Sequence, residues 1–322
     1  MQNLPSHSVL LAGNGNPKLA DDIAKELGTP IAPMTLDRFA DGEIRIEINE
    51  NLRGRNVYIL QPTCPPVNEN LMELLIMIDA CKRASAAEIT AVVPYFGYAR
   101  QDRKSASRSP ITAKLVADML TISGITRLMS IDLHSGQLQG FFDMPVDNLY
   151  AEIIFADDIA SRFDKDKLTI VSPDVGGVVR ARATAKKLGV PLAIIDKRRN
   201  KPNQSQVMHV IGEVKDRQCV MIDDMIDTAG TVCTAAQALA KAGAGNVSVY
   251  SAHGLFSPPA AERLAKAPIQ EIVVTDTIAL PADMADLKNV RILSAAPLIA
   301  RAIGCIESGD SLSALFEGLQ SV

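Results

Sequence analysis

The feature that most constrains the fold is an alternation of short apolar segments with helical segments, which occurs twice along 322 residues. Short apolar runs of this kind are typical of strands buried on both faces of a parallel sheet. The alternation predicts first-half strands near 9–11, 56–60, 89–93 and 128–132, and helices near 18–27, 70–84 and 112–122. It predicts second-half strands near 169–172, 192–196, 219–222, 247–250, 272–274 and 290–293, with helices between them. We therefore predict an α/β fold with two open, mostly parallel sheets flanked by helices.

The break in this pattern near 148–151 divides the chain into an N-terminal domain, 1–149, and a C-terminal domain, 150–322. A chain of this length is long enough for two domains. The last helix is free to pack back on the first domain.

Composition narrows the class of protein. Lys and Arg total 33 against 37 Asp and Glu, and a net charge of −4 gives no electrostatic reason to expect nucleic acid or an anionic membrane as a partner. The five cysteines form no CxxC pair, which suits a reducing compartment. Neither a signal peptide nor an apolar run long enough to span a membrane is evident, so we expect a cytoplasmic protein.

One segment combines paired carboxylates with a small-residue loop. Asp223 and Asp224 follow the predicted strand at 219–222, and the loop Asp227-Thr228-Ala229-Gly230-Thr231 precedes an Ala-rich helix predicted over about 232–242. The first N–H groups of a helix lack partners and attract phosphate, whereas carboxylates accept hydrogen bonds from sugar hydroxyls. The segment predicts a sugar-phosphate site. The alternative is a strand-to-helix turn in which the acidic residues cap the helix.

A second segment, 92–104, opens from a predicted strand into a loop rich in aromatic and cationic residues. Aromatic faces can stack a base while Arg100 and Arg103 neutralise phosphate, which predicts a nucleotide site. The alternative is a solvated basic loop. No GxxxxGK[ST] sequence is present, so a nucleotide would not be held by a Walker-type loop.

Two further segments follow predicted strands. His134 and Asp174 come just after strands of different domains, and across a cleft they would bind Mg²⁺ together with water and phosphate oxygens. A structural hydrogen bond is the alternative for the histidine. Four cations among residues 197–201 predict a lid that closes on polyphosphate, with a purely solvated loop as the alternative.

Residues 43–48 alternate charged and apolar side chains, which predicts a half-exposed strand. The preceding Asp41-Gly42 is typical of a tight hairpin turn.

These motifs together resemble a known family. The 219–231 segment is similar to the ribose 5-phosphate and phosphoribosyl-pyrophosphate loop of type I phosphoribosyltransferase folds. The runs Phe39–Glu43, Tyr98–Lys104, Asp132–His134 with Gln137–Phe142, and Lys197–Arg199 narrow the resemblance to the ribose-phosphate pyrophosphokinases, over about residues 8–316. The resemblance implies two tandem type I phosphoribosyltransferase-like domains, each a mostly parallel open sheet flanked by helices. It also implies transfer of a pyrophosphoryl group from ATP to ribose 5-phosphate.

The resemblance also implies residue roles. Catalysis falls to Lys197 and Arg199, and Mg²⁺ binding to His134 and Asp174. ATP binding falls to Phe39, Asp41, Gly42, Glu43, Arg100, Gln101 and Asp102. Binding of ribose 5-phosphate falls to Asp223, Asp224, Asp227, Thr228, Ala229, Gly230 and Thr231, with a second Mg²⁺ as another role for the first two. The pair Ser135-Gly136 departs from the small apolar pair that the family pattern leads us to expect.

The family further implies a homo-oligomer, expected to be a hexamer, in which the Phe39–Glu43 loop reaches a neighbouring subunit's adenine site. Inorganic phosphate is the expected activator, with Arg53, Arg83, Ser311 and Ser313 as the corresponding regulatory residues. Asn51 stands where serine is expected. Two alternatives stay open: a phosphoribosyltransferase that uses the same loop, and a non-catalytic regulatory homologue.

Overall fold

The computed structural model describes residues 4–198 and 207–316. The chain forms two compact units. The first unit consists of the chain up to Tyr150 together with the later segments Thr277–Ala279 and Ser294–Leu312. The second unit includes Ala151–Asp276 and Leu280–Leu293.

The first part of the chain contains strands, helices and a short 3-10 segment at Gly136–Phe141. In order they are β1 (Ser8–Ala12), α1 (Pro17–Glu26), β2 (Met34–Arg38), β3 (Ile44–Ile48), β4 (Asn56–Leu60), α2 (Val67–Arg83), β5 (Glu88–Val93), α3 (Thr112–Ser123), β6 (Arg127–Ile131) and β7 (Val146–Leu149).

The second part follows the same α/β alternation. In order its elements are α4 (Glu152–Arg162), β8 (Leu168–Ser172), α5 (Val178–Leu188), β9 (Leu192–Arg198), β10 (Val207–Ile211), β11 (Gln218–Ile226), α6 (Gly230–Lys241), β12 (Asn246–Gly254), α7 (Ala260–Lys266), β13 (Glu271–Thr275), β14 (Val290–Leu293) and α8 (Ala296–Ser308).

The first unit contains a parallel sheet in the order β1-β4-β5-β6-β7. Its strands are apolar because helices cover them; for example, Ile59 and Val93 pack with Leu74 and Ile78 of α2 in one core. Burial of each such side chain contributes about 1.5–3 kcal/mol to folding. Helix α8 belongs to this unit and packs against α1.

The segment 34–48 forms a separate two-stranded hairpin. Strands β2 and β3 pair antiparallel, with Arg38 opposite Ile44, and β3 packs against α2. The alternating exposure of β3 agrees with its sequence pattern and with the hairpin turn expected at Asp41-Gly42. Gly42 has φ of +96°, a conformation that favours glycine at the turn.

The second unit contains a seven-stranded sheet in the order β10-β9-β8-β11-β12-β13-β14. All its neighbouring strands are parallel except the edge pair β9 and β10, which is antiparallel. Thus the predicted fold class is confirmed: two mostly parallel sheets, each flanked by helices. Strands β2, β7 and β10 were not predicted.

A half-buried polar network joins four elements of the second unit. The guanidinium of Arg291 on β14 donates to both carboxylate oxygens of Asp158 on α4, at 2.8 and 2.6 Å, and Tyr250 Oη on β12 donates to Asp158 Oδ2 at 2.7 Å. Arg291 Nε also donates to Glu271 Oε1 on β13, at 3.0 Å. Because each partner comes from a different element, the network fixes α4 against the sheet.

Among the residues that the structure describes, no helix is long and apolar enough to cross a membrane. All five cysteines are free thiols, and four of them are buried.

Candidate functional site

The carboxylate pair lies on β11, beyond the point where this strand stops pairing with β8. Pairing of β11 with β8 ends at Met221, whereas pairing with β12 continues to Ile226. The expectation that the strand ends before Asp223 is therefore wrong: both aspartates lie inside β11. They still lie beyond the carboxyl end of β8, where open parallel sheets bind ligands.

The two carboxyl groups are crowded. Asp224 is 6% exposed, and Asp223 Oδ1 accepts a hydrogen bond from Asp224 N at 2.9 Å. Arg180 on α5 approaches Asp224 Oδ1 to 3.8 Å. Desolvation and the neighbouring carboxylate raise the pKa of Asp223 well above its usual range, and the charge of Arg180 opposes this shift. Such a pair favours a partner that donates hydrogen bonds or carries positive charge.

The loop after β11 turns sharply into α6. Ala229, its N-cap residue, has φ of 59°, a left-handed conformation unusual for a residue with a side chain, and it makes no side-chain hydrogen bond to the helix. Arg263 on α7 fixes the loop by donating from Nη1 to the carbonyl of Thr228 at 2.9 Å. The helix itself begins at Gly230, earlier than predicted. The loop thus presents a helix N-terminus with an arginine nearby, a combination that favours an anion.

Asp174 lies just after β8, at the same carboxyl end of the parallel strands as Asp223. Its Oδ1 accepts a hydrogen bond from Gly177 N at 2.9 Å, and its carbonyl accepts one from Ser172 Oγ at 2.6 Å. These bonds hold the turn that leads into α5, the helix that carries Arg180. Asp174, Asp223 and the loop at Thr228 are therefore positioned by neighbouring elements of one sheet.

In the first unit, the predicted nucleotide segment follows β5. Gly97 is held close to the loop after β4: Gly97 N donates to Thr63 Oγ1 at 2.7 Å, and a Cβ at Gly97 would lie 2.5 Å from the carbonyl oxygen of Thr63. Only glycine fits there without a shift of the backbone. Tyr98, with φ of 64°, then bends the chain so that Arg100 and Gln101 are exposed.

The expectation that aromatic faces of this segment stack a base is wrong for two of its three aromatic residues. Tyr95 and Phe96 are 5% and 4% exposed, and Phe96 packs edge-to-face on Phe142. Tyr98 is half-buried and donates its hydroxyl to Asn68 Oδ1 at the start of α2. The aromatic residues support the loop, while its polar residues lie at the surface.

His134 follows β6 and is exposed. Asp132, with φ of 42°, turns the chain, and Leu133 N donates to Asn148 Oδ1 at 3.0 Å. On the other side of His134, Ser135 Oγ donates to Asp102 Oδ2 at 2.7 Å. The predicted nucleotide and metal segments of this unit are therefore in direct contact.

The hairpin tip carries Phe39, Asp41 and Glu43. Phe39 is 53% exposed, and Glu43 N donates to Asp41 Oδ1 at 3.1 Å. Arg38 ties the tip to α2: its Nη1 donates to the Gly42 carbonyl at 2.8 Å, and its Nη2 to Glu69 Oε2 at 2.6 Å. The hairpin tip thus exposes one aromatic residue together with two acidic residues.

The remaining predicted residues are placed in part. The backbone of Lys197 pairs with Met208 at the end of β9, and Arg199 lies outside the described residues. The turn that contains Arg53 contacts the end of α2 near Arg83, since Gly54 N donates to the Ser85 carbonyl at 2.9 Å. Ser311 and Ser313 are both exposed, just after α8. Asn51 Oδ1 accepts a hydrogen bond from Arg53 N at 3.1 Å and so caps this turn.

Four residues that contact these segments were not predicted from the sequence: Arg180, Arg263, Asn68 and Glu69. Each contacts a site segment that is distant along the chain, so no local pattern marks it. Within the described ranges, no three side chains of His, Cys, Asp or Glu come together as a metal-binding group.

Comparison with known proteins gives consistent matches. Residues 8–124 match the model of the N-terminal domain of ribose phosphate pyrophosphokinase, and residues 164–317 match that of the phosphoribosyl synthetase-associated domain. The chain is 54% identical to a ribose-phosphate pyrophosphokinase of Ralstonia nicotianae, over 96% of this chain and 98% of that one. It is 53% identical to that of Haemophilus influenzae, over 95% and 98% of the two chains.

A solved structure agrees. The phosphoribosylpyrophosphate synthetase from Mycobacterium smegmatis superimposes with a TM-score of 0.88 and 43% sequence identity, over 94% of this chain and 99% of that chain. With two domain models that together cover most of the chain and relatives above 50% identity along nearly all of it, this chain belongs to the ribose-phosphate pyrophosphokinase family.

Proposed function

We propose that this protein transfers the β,γ-pyrophosphoryl group of ATP to the C1 hydroxyl of ribose 5-phosphate, releasing AMP and 5-phosphoribosyl 1-pyrophosphate. The observation that carries the proposal is the crowded pair Asp223 and Asp224 beside the helix-start loop of α6, in a chain 54% identical to a ribose-phosphate pyrophosphokinase. The product would serve nucleotide and related biosynthesis.

The sugar substrate suits the second unit. The loop Thr228–Thr231 offers backbone N–H groups at the start of α6 to the 5-phosphate, and Arg263 adds positive charge beside that loop. Asp223 and Asp224 accept hydrogen bonds from the ribose hydroxyls, and Asp227 adds a third carboxylate at the start of the loop. Desolvation of Asp223 makes such donors favourable, because each one stabilises the charged carboxylate.

The nucleotide suits the polar residues of the first unit. Arg100, Gln101 and Asp102 follow a buried strand, and the hairpin tip supplies Phe39, Asp41, Gly42 and Glu43. In a homo-oligomer, which we propose to be a hexamer, the hairpin tip would serve a neighbouring subunit's nucleotide. Arg53, Arg83, Ser311 and Ser313 would bind inorganic phosphate as an activator, with Asn51 replacing a serine there.

The side chains present fit Mg²⁺. Desolvation, together with the charge of Asp224, raises the pKa of Asp223. A second Mg²⁺ at this pair would offset both effects, since carboxylate oxygens are the ligands that Mg²⁺ prefers. Because Mg²⁺ generally keeps several water molecules and binds substrate phosphates, a group of three protein ligands is not required. His134 and Asp174 would hold the ion on the triphosphate, the histidine partly through water. Bound Mg²⁺ would neutralise charge on the phosphoryl oxygens during transfer.

The residues of the chain then act by position and charge. The C1 hydroxyl attacks the β-phosphorus roughly in line with the departing AMP oxygen, and no covalent enzyme intermediate is needed. Lys197 and Arg199 would stabilise the charge that develops on the transferred group. We place the reaction in the cytoplasm, in keeping with the five free thiols.

Incubation of the purified protein with ATP, Mg²⁺, inorganic phosphate and ribose 5-phosphate tests the proposal. AMP that forms only with the sugar supports it. In a second incubation, with 5-phosphoribosyl 1-pyrophosphate and a nucleobase, release of pyrophosphate would instead support a phosphoribosyltransferase. Folded protein without any product would support a non-catalytic regulatory homologue.

A further inference from the structure

One carboxylate oxygen in the first unit joins two site segments. Asp102 Oδ2 accepts hydrogen bonds from Ser135 Oγ at 2.7 Å and from Gln137 Nε2 at 2.9 Å. Asp102 belongs to the segment that carries Arg100 and Gln101, whereas the two donors follow His134 directly. A hydrogen bond to an ionised acceptor is stronger than a neutral one, so this contact resists separation of the two segments.

Ser135 is a departure from the family pattern, which leads us to expect a small apolar residue at this position. An apolar side chain has no donor, so the hydroxyl adds a bond to Asp102 that such a residue could not make. The Ser135 carbonyl also accepts a hydrogen bond from Leu138 N at 3.2 Å, which fixes the following 3-10 turn. The serine is therefore bonded on both its side chain and its backbone.

His134 lies between two fixed points. On one side, Leu133 N is bonded to Asn148 Oδ1 on β7 at 3.0 Å, and on the other side Ser135 is bonded to Asp102. A shift of Asp102 on nucleotide binding would thus be passed to the backbone next to the His134 imidazole. A shift of His134 on metal binding would act on Asp102 in the same way.

We propose that Ser135, assisted by Gln137, is a positioning residue that couples binding of the nucleotide to binding of its metal ion. The inference rests on the proposed function, which assigns Asp102 to ATP and His134 to Mg²⁺. Coupling between two ligands is reciprocal: Mg²⁺ tightens ATP binding by the same factor by which ATP tightens Mg²⁺ binding. Either factor therefore measures the coupling. The hydroxyl of Ser135 contributes part of this factor.

Calorimetric titration of the full-length protein with ATP, without sugar, measures this coupling factor. Titration in EDTA and titration in MgCl₂ give two dissociation constants, and their ratio is compared between variants. Mg²⁺ binds ATP in solution equally in all of these experiments, so differences between the ratios report on the protein. We expect Ser135→Ala to reduce the ratio about fivefold, with a much smaller change in EDTA alone.

Controls separate this effect from a general loss of structure. Ser123→Ala removes a hydroxyl that donates to the Met119 carbonyl within α3, and it should leave the ratio unchanged. Gln137→Ala should reduce the ratio in the same direction as Ser135→Ala, and Ser135→Thr, which keeps the hydroxyl, should restore most of it. If Ser135→Ala does not fold, the exposed Gln137→Ala variant decides the test alone.

An unchanged ratio in Ser135→Ala, or a wild-type protein in which Mg²⁺ does not tighten ATP binding, would overturn the proposal. A further loss on adding Ser135→Ala to Asp102→Ala would also overturn it, because Ser135 would then act through another group. Since no sugar is present, a protein that couples the ligands but forms no AMP would reject the proposed function alone.

Discussion

The Nη1 atom of Arg180 lies 3.8 Å from Oδ1 of Asp224, so that one guanidinium stands beside two neighbouring carboxyl groups. This cation only partly offsets the crowding of the pair. Desolvation and the charge of Asp224 raise the pKa of Asp223 well above its usual range. A site that is unfavourable when empty favours any ligand that donates hydrogen bonds or positive charge.

Asp223→Asn should stabilise the ligand-free protein at pH 7 and weaken its response to ligand. In the unfolded chain Asp223 loses its proton near pH 3.9, but in the folded protein it does so at higher pH, so the wild type loses folding free energy as pH rises through that interval. The asparagine variant avoids this loss. We expect a gain of about 1 kcal/mol in the free energy of unfolding by denaturant. A less stable variant at pH 7 would contradict this account of the pair.

Asp158→Asn should reduce stability and change its acid dependence. Although burial alone would raise the pKa of Asp158, hydrogen bonds from Arg291 and Tyr250 bring it below its usual value. An aspartate with a lowered folded pKa contributes stability that is present above its unfolded pKa and lost as pH falls through its folded pKa. Asparagine keeps only one acceptor for the bidentate guanidinium, so we expect a loss of about 2 kcal/mol at pH 7.

The measurement is denaturant unfolding at several values between pH 7 and pH 3, where the variant should lose less stability than the wild type. Glu262→Gln is the matched control, because Glu262 belongs to an exposed i,i+4 pair with Lys266 on α7. A decline with falling pH that is equally steep in Asp158→Asn and in the wild type would show that the network does not titrate as described.

Glu69→Ala should weaken nucleotide use without unfolding the protein. Arg38 and Glu69 are both about half exposed, so their ion pair contributes about 1 kcal/mol or less to stability. Because Arg38 also holds the Gly42 carbonyl, loss of its partner frees the hairpin tip. We expect the KM for ATP to rise several-fold, with the KM for ribose 5-phosphate unchanged.

A double substitution tests the route of this effect. Arg38→Ala combined with Glu69→Ala should be little worse than Arg38→Ala alone, since both act through one contact. Asp22→Ala, which breaks an exposed ion pair with Lys25 on α1, is the control. Equal increases in both KM values would argue against a role confined to the nucleotide.

Lys197→Ala should reduce turnover far more than it weakens binding of ribose 5-phosphate. A group that stabilises charge formed only in the transition state affects kcat, whereas a group that binds substrate throughout affects KM. We expect a loss of about 10²–10³ in kcat, the range typical for removal of one such donor. Steady-state kinetics with ribose 5-phosphate varied would measure both constants, and equal losses in the two would reject the assigned role.

The sequence predicts the sheets well because burial on both faces leaves a local mark. The apolar runs at 56–60 and 290–293 coincide with β4 and β14 as the structure has them. The sequence does not predict the end of a strand when that end depends on the neighbouring strand. For example, β11 continues through two aspartates because β12 pairs with it there. Strand β10 escaped prediction since it is an antiparallel edge that adds to β9.

The site segments were visible in the sequence, but the contacts that hold them were not. Motif spacing locates Asp102 and His134, yet the bond from Ser135 to Asp102 joins residues 33 positions apart. Similarly, composition marks residues 92–104 as aromatic without indicating that Tyr95 and Phe96 point into the core. Long-range packing decides such contacts, and single-sequence patterns carry only local information.

The most direct test of the account resolves the nucleotide products formed from ATP, Mg²⁺, inorganic phosphate and ribose 5-phosphate by chromatography. Transfer of a pyrophosphoryl group predicts AMP that accumulates only when the sugar is present, in equal amounts with 5-phosphoribosyl 1-pyrophosphate. Sugar-dependent ADP would mean transfer of a single phosphoryl group and would contradict the mechanism.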